Sequence, residues 1–138
     1  MRNNVLREQK LFEERKESAE HLRLLINELN DEHNKGALLV VEGKKDQLAL
    51  QSLGLHVDCF WLSKEGLSNF LNLAESSKKV ILLLDYDRKG KYMYTRAIRI
   101  LQSKGIQADG FYRKTIKKIT RGEVVHIEDI SMYSRLLG

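Results

Sequence analysis

Two stretches of the chain are apolar at almost every position: Ala-Leu-Leu-Val-Val at 37–41 and Lys-Val-Ile-Leu-Leu-Leu at 79–84. Runs of this kind, without polar alternation, belong to strands covered on both faces, as in a parallel sheet. Around them the pattern changes period. Residues 44–54 (KKDQLALQSLG) predict a short helix ended by Gly54, and residues 63–77 predict a second helix beginning near Ser63. Residues 89–105 predict a third, with Met93, Ala97, Ile98 and Leu101 on one face and Gly105 past its end. HVDCFWL (56–62) and IQADGFY (106–112) read as further strands, and RKTIKKITR (113–121) is a basic stretch for which a plain solvated strand and loop is the alternative to a binding role. A last short helix is expected within 126–137, where Ile127, Ile130, Tyr133 and Leu136 are spaced to pack. Strands alternating with helices imply right-handed crossovers and an α/β fold built on a parallel four-stranded sheet.

Residues 1–33 hold no Gly or Pro and carry apolar residues at helical spacing. Val5, Phe12, Ala19 and Ile26 fall seven apart, and Leu22 and Leu29 supply a second seam position. Glu8 and Arg15 interrupt that seam earlier in the segment. The pattern predicts one long helix whose second half packs on the domain. Its first half projects, or meets a protein partner or a second copy of the chain. Asn34-Lys35-Gly36 closes it, with Gly36 free to adopt a positive φ. The chain thus divides into an N-terminal helix (1–34) and a domain with its own C-terminal helix (35–138).

A length of 138 residues suits one domain with one core. The net charge of +5 and pI near 9.3 favour a polyanionic partner such as nucleic acid, where a weaker reading has charge serving solubility alone. No apolar run approaches the roughly 20 residues that span a bilayer, and the start lacks an apolar signal core. The single Cys59, set among apolar residues, reads as a buried, reduced thiol in a cytoplasmic protein.

The candidate chemistry lies where the apolar strands end. The first runs into Val-Val-Glu-Gly-Lys-Lys-Asp, which puts Glu42 at the strand end and Asp46 in the next helix. The third runs into Leu-Leu-Leu-Asp-Tyr-Asp-Arg-Lys-Gly, which puts Asp85 and Asp87 there. Residues two apart on an extended chain point the same way, so both aspartates can face one site. Glu42 joins them if the two strands are neighbours. Grouped carboxylates repel one another unless a cation neutralises them, and a hard divalent ion suits such oxygen ligands. Gly43 and Gly90 follow closely, allowing tight turns and close approach of a phosphate backbone. The competing explanation, that these acids cap helices, accounts for Asp46 and tolerably for Asp87, but poorly for Glu42 and Asp85.

Together, VVEGKKDQLAL and, some forty residues later, ILLLDYDRKGK resemble the two motifs of the Toprim domain. That domain is shared by type IA and type II topoisomerases, bacterial-type primases and several nucleases. The resemblance covers about residues 35–112 and implies a Toprim-like parallel four-stranded sheet flanked by helices, here with a long N-terminal helix. More narrowly, the chain is similar to small primase-like Toprim proteins and to the nucleases that mature ribosomal RNA. By this resemblance Glu42 is the catalytic acid or base, and Asp85 and Asp87 hold Mg²⁺, with Mn²⁺ as the alternative ion. Gly43, Asp46 and Gly90 are motif positions. The chain departs from topoisomerase versions in carrying Arg88, Lys89 and Lys91 where a further acid is common. It is also short for a topoisomerase and lacks the Cys/His zinc cluster of a full primase.

A nucleic-acid partner, RNA rather than DNA, is expected on the basic stretch beside the acids. Lys44, Arg88, Lys89, Lys91, Arg113, Lys114, Lys117 and Lys118 are placed to follow phosphates, and Tyr92, Tyr94 or Tyr112 to stack on bases. At least one of these tyrosines is expected in the core instead. His21, His33, His56 and His126 lack ligand spacing and read as structural or exposed. Two functions remain open at this level. One is a metal-dependent phosphoryl-transfer enzyme, a small nuclease or RNA-processing protein; the other is a non-catalytic RNA- or protein-binding subunit.

Overall fold

The computed structural model describes residues 2–137 and is an α/β structure on a four-stranded, all-parallel sheet. Helix α1 (Arg2–Asn34) leads into β1 (Ala37–Val41), α2 (Lys44–Ser52) and β2 (Phe60–Trp61). Then follow α3 (Leu62–Glu75), β3 (Lys79–Leu82), α4 (Arg88–Ser103), β4 (Ala108–Asp109) and α5 (Phe111–Ile119). A 3₁₀ tail helix, Ile127–Leu136, completes the order. The strands lie β2-β1-β3-β4, so the direction of winding reverses between β1 and β3. Among the described residues no helix is long and apolar enough to cross a membrane.

The two unbroken apolar strands are the two at the centre, and their side chains divide between two cores. Leu39 and Val41 of β1 and Ile81 of β3, with Leu83 just beyond it, face a layer made by α1, α2, α5 and the tail helix. Val40, Val80 and Leu82 face Phe60, Phe70, Ala74, Ala97 and Leu101, which brings α3 and α4 onto the other side. Period-two alternation inside a wholly apolar run is what a doubly covered strand requires.

Helix α1 behaves as its pattern predicts. Arg2–Glu13 is exposed throughout, whereas Ala19, Leu22, Leu25, Ile26 and Leu29 enter the core. Asn30 is buried with them and ties down the turn after α2, accepting from the His56 amide at 2.8 Å and donating to the Gly54 carbonyl at 3.0 Å. Gly36 ends the helix at φ +105°.

Four expectations are corrected. The second strand shrinks from 56–62 to Phe60–Trp61, because Gln47 takes over its polar groups. The Gln47 side chain accepts from the Cys59 amide at 2.8 Å and the Trp61 indole at 2.7 Å, and donates to Asp58 at 2.9 Å. The next helix begins at Leu62 with Trp61 as its cap residue rather than near Ser63, and it bends at Gly66, where φ is +78°. The fourth strand is only Ala108–Asp109, and the basic stretch weighed as a solvated strand and loop is instead α5. Tyr112 and Ile116 there recur four apart and bury against the core, with Ile119 packed beside them, so tertiary packing outweighs the β-branched composition of the stretch. The tail forms the short helix expected there, of 3₁₀ type, and Ile127, Ile130 and Tyr133 pack.

Candidate metal centre

The direction of winding reverses between β1 and β3, and the carboxyl edge of the sheet at such a reversal is where α/β folds place ligands. Beyond β3 the chain continues extended, and the Leu83 amide still donates to the Val40 carbonyl at 2.8 Å. Asp85 therefore emerges beside the end of β1. Its Oδ1 accepts from the Ile127 amide at 2.7 Å. Asp87 caps α4: its Oδ1 accepts from the Gly90 amide at 2.7 Å. Each aspartate thus uses Oδ1 on the backbone. The capping explanation is half right for Asp87, and it leaves the other oxygens unexplained.

Those oxygens meet a residue the sequence reading sets aside. Oδ2 of Asp87 lies 3.2 Å from Nε2 of His126. One ligand atom each from Asp85, Asp87 and His126 fall within 4.8 Å of one another. The sequence reads His126 as structural or exposed; the fold sets it, half-exposed, beside the two aspartates. It sits 39 residues from Asp87, and only the way the tail folds back onto the sheet edge brings it in.

Electrostatics divides the acids. Burial raises the Asp85 pKa; the Ile127 amide and His126 oppose, while Glu42 and Asp87 add to the rise. The Gly90 amide lowers that of Asp87, partial desolvation opposes, and His126 and Lys89 lower it further. His126 is partly desolvated, which lowers its pKa, yet the facing Asp85, Asp87 and Asp129 carboxylates outweigh this and raise it. The donor set of two carboxylates and an imidazole, at a half-open strand end, fits a divalent cation.

Glu42 stands at the end of β1 as expected and is close enough to raise the pKa of Asp85. Its carboxylate does not join the three-residue group; it pairs with Lys89 at 3.1 Å. Asp46 is buried and accepts from the Gly43 amide at 3.1 Å. Burial pushes its pKa up to about 6; the Gly43 amide opposes, and repulsion from Asp85, Glu42 and Glu128 adds to the rise. Because the folded value exceeds the unfolded one of 3.8, the stabilisation is complete at low pH and is lost as pH rises from about 4 to 6. Asp46→Asn keeps an oxygen for Gly43 and removes this loss. In chelator, its unfolding free energy should fall less than that of wild type over that window and exceed it by about 2 kcal/mol at pH 7.5, read by urea titration.

Gly90 is required for a reason other than phosphate approach. A Cβ there would lie 2.2 Å from the Asp85 carbonyl oxygen, so the first turn of α4 rests directly on the backbone that carries the acid. Arg113 likewise works inward. Its guanidinium donates to the carbonyls of Leu84 at 2.9 Å and Asp85 at 2.7 Å. It lies between the Tyr86 ring at 4.6 Å and the Tyr94 ring at 4.5 Å, while the Tyr86 hydroxyl donates back to the Arg113 carbonyl.

The remaining bases divide in two. Lys44 opens α2, Arg88, Lys89 and Lys91 open α4, and all four are exposed. Lys91, Lys114 and Lys117 line a shallow pocket with Tyr94 and Phe111, adjoining the Arg113 clasp. Lys118 faces a separate groove against α1 and is not brought to this side. Of the three tyrosines considered for stacking, Tyr112 enters the core, whereas Tyr92 is 67% exposed. Cys59 is half-buried, and burial pushes its pKa to about 12, keeping it a thiol.

A family model described as the Toprim domain matches residues 37–119. A UPF0292 protein of Thermococcus onnurineus is 32% identical over 101 residues, covering 72% of this chain and 76% of that protein. A UPF0292 protein of Methanosarcina barkeri is 29% identical over 115 residues, covering 83% and 80%. A solved structure of an Aquifex aeolicus protein is similar at a TM-score of 0.66 and 30% identity, covering 76% of this chain and 94% of that one.

Proposed function

The chain belongs to the Toprim domain family, and from that premise we propose that it is a divalent-metal-dependent phosphoryl-transfer enzyme acting on nucleic acid, a small nuclease or RNA-processing protein. The observation that carries this reading is the convergence of Asp85, Asp87 and His126 at the reversal point, with Glu42 beside them. Asp85 and Asp87 would hold Mg²⁺ or Mn²⁺. Such an ion, when bound, polarises a phosphate and stabilises charge developing on its oxygens. Glu42 serves as the proton acceptor for the attacking oxygen. Lys89, now on Glu42, is 72% exposed and free to move to a substrate phosphate, which releases the carboxylate. Lys91, Lys114 and Lys117 support a path for the backbone past the centre, with RNA favoured over DNA as substrate.

One observation favours a second reading, a non-catalytic RNA- or protein-binding subunit: Glu42 is held by Lys89, outside the cluster. In that reading the exposed Arg2–Glu13 half of α1 docks a protein partner or a second copy of the chain. Incubation with structured and single-stranded RNA and DNA, with and without Mg²⁺ or Mn²⁺, separates the two. Cleavage requiring metal and Glu42 supports the enzyme. Tight, metal-independent binding without turnover supports the subunit.

A further inference from the structure

We propose that His126 is a third protein ligand of the divalent ion, so that the centre offers two carboxylates and an imidazole and favours a first-row transition ion over Mg²⁺. This rests on the metal-dependent reading above and sharpens it. His126 lies beyond residues 37–119, the span the family model matches, so the tail contributes it to a centre otherwise built from the matched segment.

Its placement is fixed from both sides. The Tyr86 amide donates to the Val125 carbonyl at 2.7 Å, and the Ile127 amide donates to Asp85 Oδ1 at 2.7 Å. The residues flanking His126 are therefore tied to the stretch that carries both aspartates. The ring is oriented as well. Nε2 faces Asp87 Oδ2, while Nδ1 lies 3.5 Å from Oδ2 of Asp129, three residues on. The Asp129 amide donates to the His126 carbonyl at 2.9 Å and holds that carboxylate in register. A carboxylate on the far ring nitrogen is the usual partner of a metal-bound histidine, since it sets the tautomer and the ring angle.

Structural roles account for this poorly. The imidazole is 45% exposed and belongs to neither core cluster. Although His126 precedes the tail helix, its side chain makes no cap hydrogen bond. An exposed ion pair contributes little to stability and needs no such anchoring. The nitrogen donor has a chemical consequence. Mg²⁺ prefers oxygen ligands and keeps its waters, whereas affinity of an imidazole site rises along the first-row transition series.

Mn²⁺ is the probe, followed by calorimetry and pulsed electron paramagnetic resonance. Wild type should show ¹⁴N coupling from a directly bound imidazole. His126→Ala should lose that coupling and bind Mn²⁺ at least tenfold more weakly, with Mg²⁺ affinity changed less than threefold. Asp129→Asn should keep the coupling and weaken Mn²⁺ roughly tenfold. His126→Asp, an all-oxygen set, should bind Mg²⁺ at least as well as wild type by calorimetry and show no imidazole ¹⁴N coupling when loaded with Mn²⁺. Thermal melts of each variant check that the fold is intact. No ¹⁴N coupling in wild type and unchanged Mn²⁺ affinity in His126→Ala, while Asp85→Asn/Asp87→Asn abolishes binding, would overturn the ligand assignment and leave the metal-dependent reading standing. Absence of Mn²⁺ and Mg²⁺ binding to wild type would overturn both.

Discussion

The double variant Asp85→Asn/Asp87→Asn should lose metal-dependent cleavage by three orders of magnitude or more, yet stay close to wild-type stability in chelator. The stability half follows from how each carboxylate is used. Asparagine at 85 still presents an oxygen to the Ile127 amide, and asparagine at 87 remains a good cap for the Gly90 amide. What disappears is the charge. Burial disfavours ionised Asp85, and Glu42 and Asp87 repel it, so its neutral isostere is better tolerated without a cation, which offsets the loss of the Asp87 charge that the Gly90 amide and His126 favour. With metal the order reverses. Wild type should gain about 2.7 kcal/mol at an ion concentration one hundred times Kd, and the variant nothing. Acids that served only to build the fold would behave the other way, with the variant less stable in chelator and unmoved by metal. Urea titrations with and without Mn²⁺ beside the cleavage assay read both halves. Unchanged cleavage in the variant would sink the assignment of the centre.

Gly90→Ala should be strongly destabilising, at about 3 kcal/mol or more. The added methyl would meet the Asp85 carbonyl oxygen at 2.2 Å, its carbonyl carbon at 2.6 Å and its Cα at 2.9 Å. All three are backbone atoms, so no rotamer change relieves the overlap, and α4 must lift off the end of β3. That movement carries Asp87 away from Asp85, so Mn²⁺ binding should fall with stability. Gly43, the other motif glycine, is the control. Its φ of −159° suits any residue, and its Cβ would meet only the Ser63 hydroxyl, at 3.3 Å. Gly43→Ala should therefore cost under about 1 kcal/mol. Denaturant midpoints of the two variants decide it, and equal effects would refute the packing argument.

The residues that were legible in the sequence are those whose role is local. Leu38–Val41 and Val80–Leu84 announce central strands because burial on both faces excludes polar residues over a short, continuous run. The acids at their ends announce a sheet-edge site because strand direction and spacing alone put Asp85 and Asp87 there. Helix α5 was not legible as a helix. Thr115, Ile116, Ile119 and Thr120 all favour strand, and only the core that receives Tyr112 and Ile116 makes the helical spacing decisive. Arg113 reads as one base among many; that its guanidinium turns inward depends on two aromatic rings from other segments. His126 carries no local signal at all. Its place depends on bonds from residues 125 and 127 to residues 86 and 85, contacts between distant parts of the chain.

That same anchoring bears on how the protein is made. The bond from Ile127 to Asp85 spans 42 residues, and Glu42 lies about as far back again, so the centre is closed by two long loops in series. Closing the second carries an entropic cost of about 3 kcal/mol that local structure does not offset. During synthesis the first 120 residues can lay down the sheet while the candidate ligands stay unassembled. In refolding, the metal-dependent signal should accompany the slowest phase rather than precede it. The centre is therefore the last part of the molecule to mature, and an incomplete chain holds both aspartates but not His126.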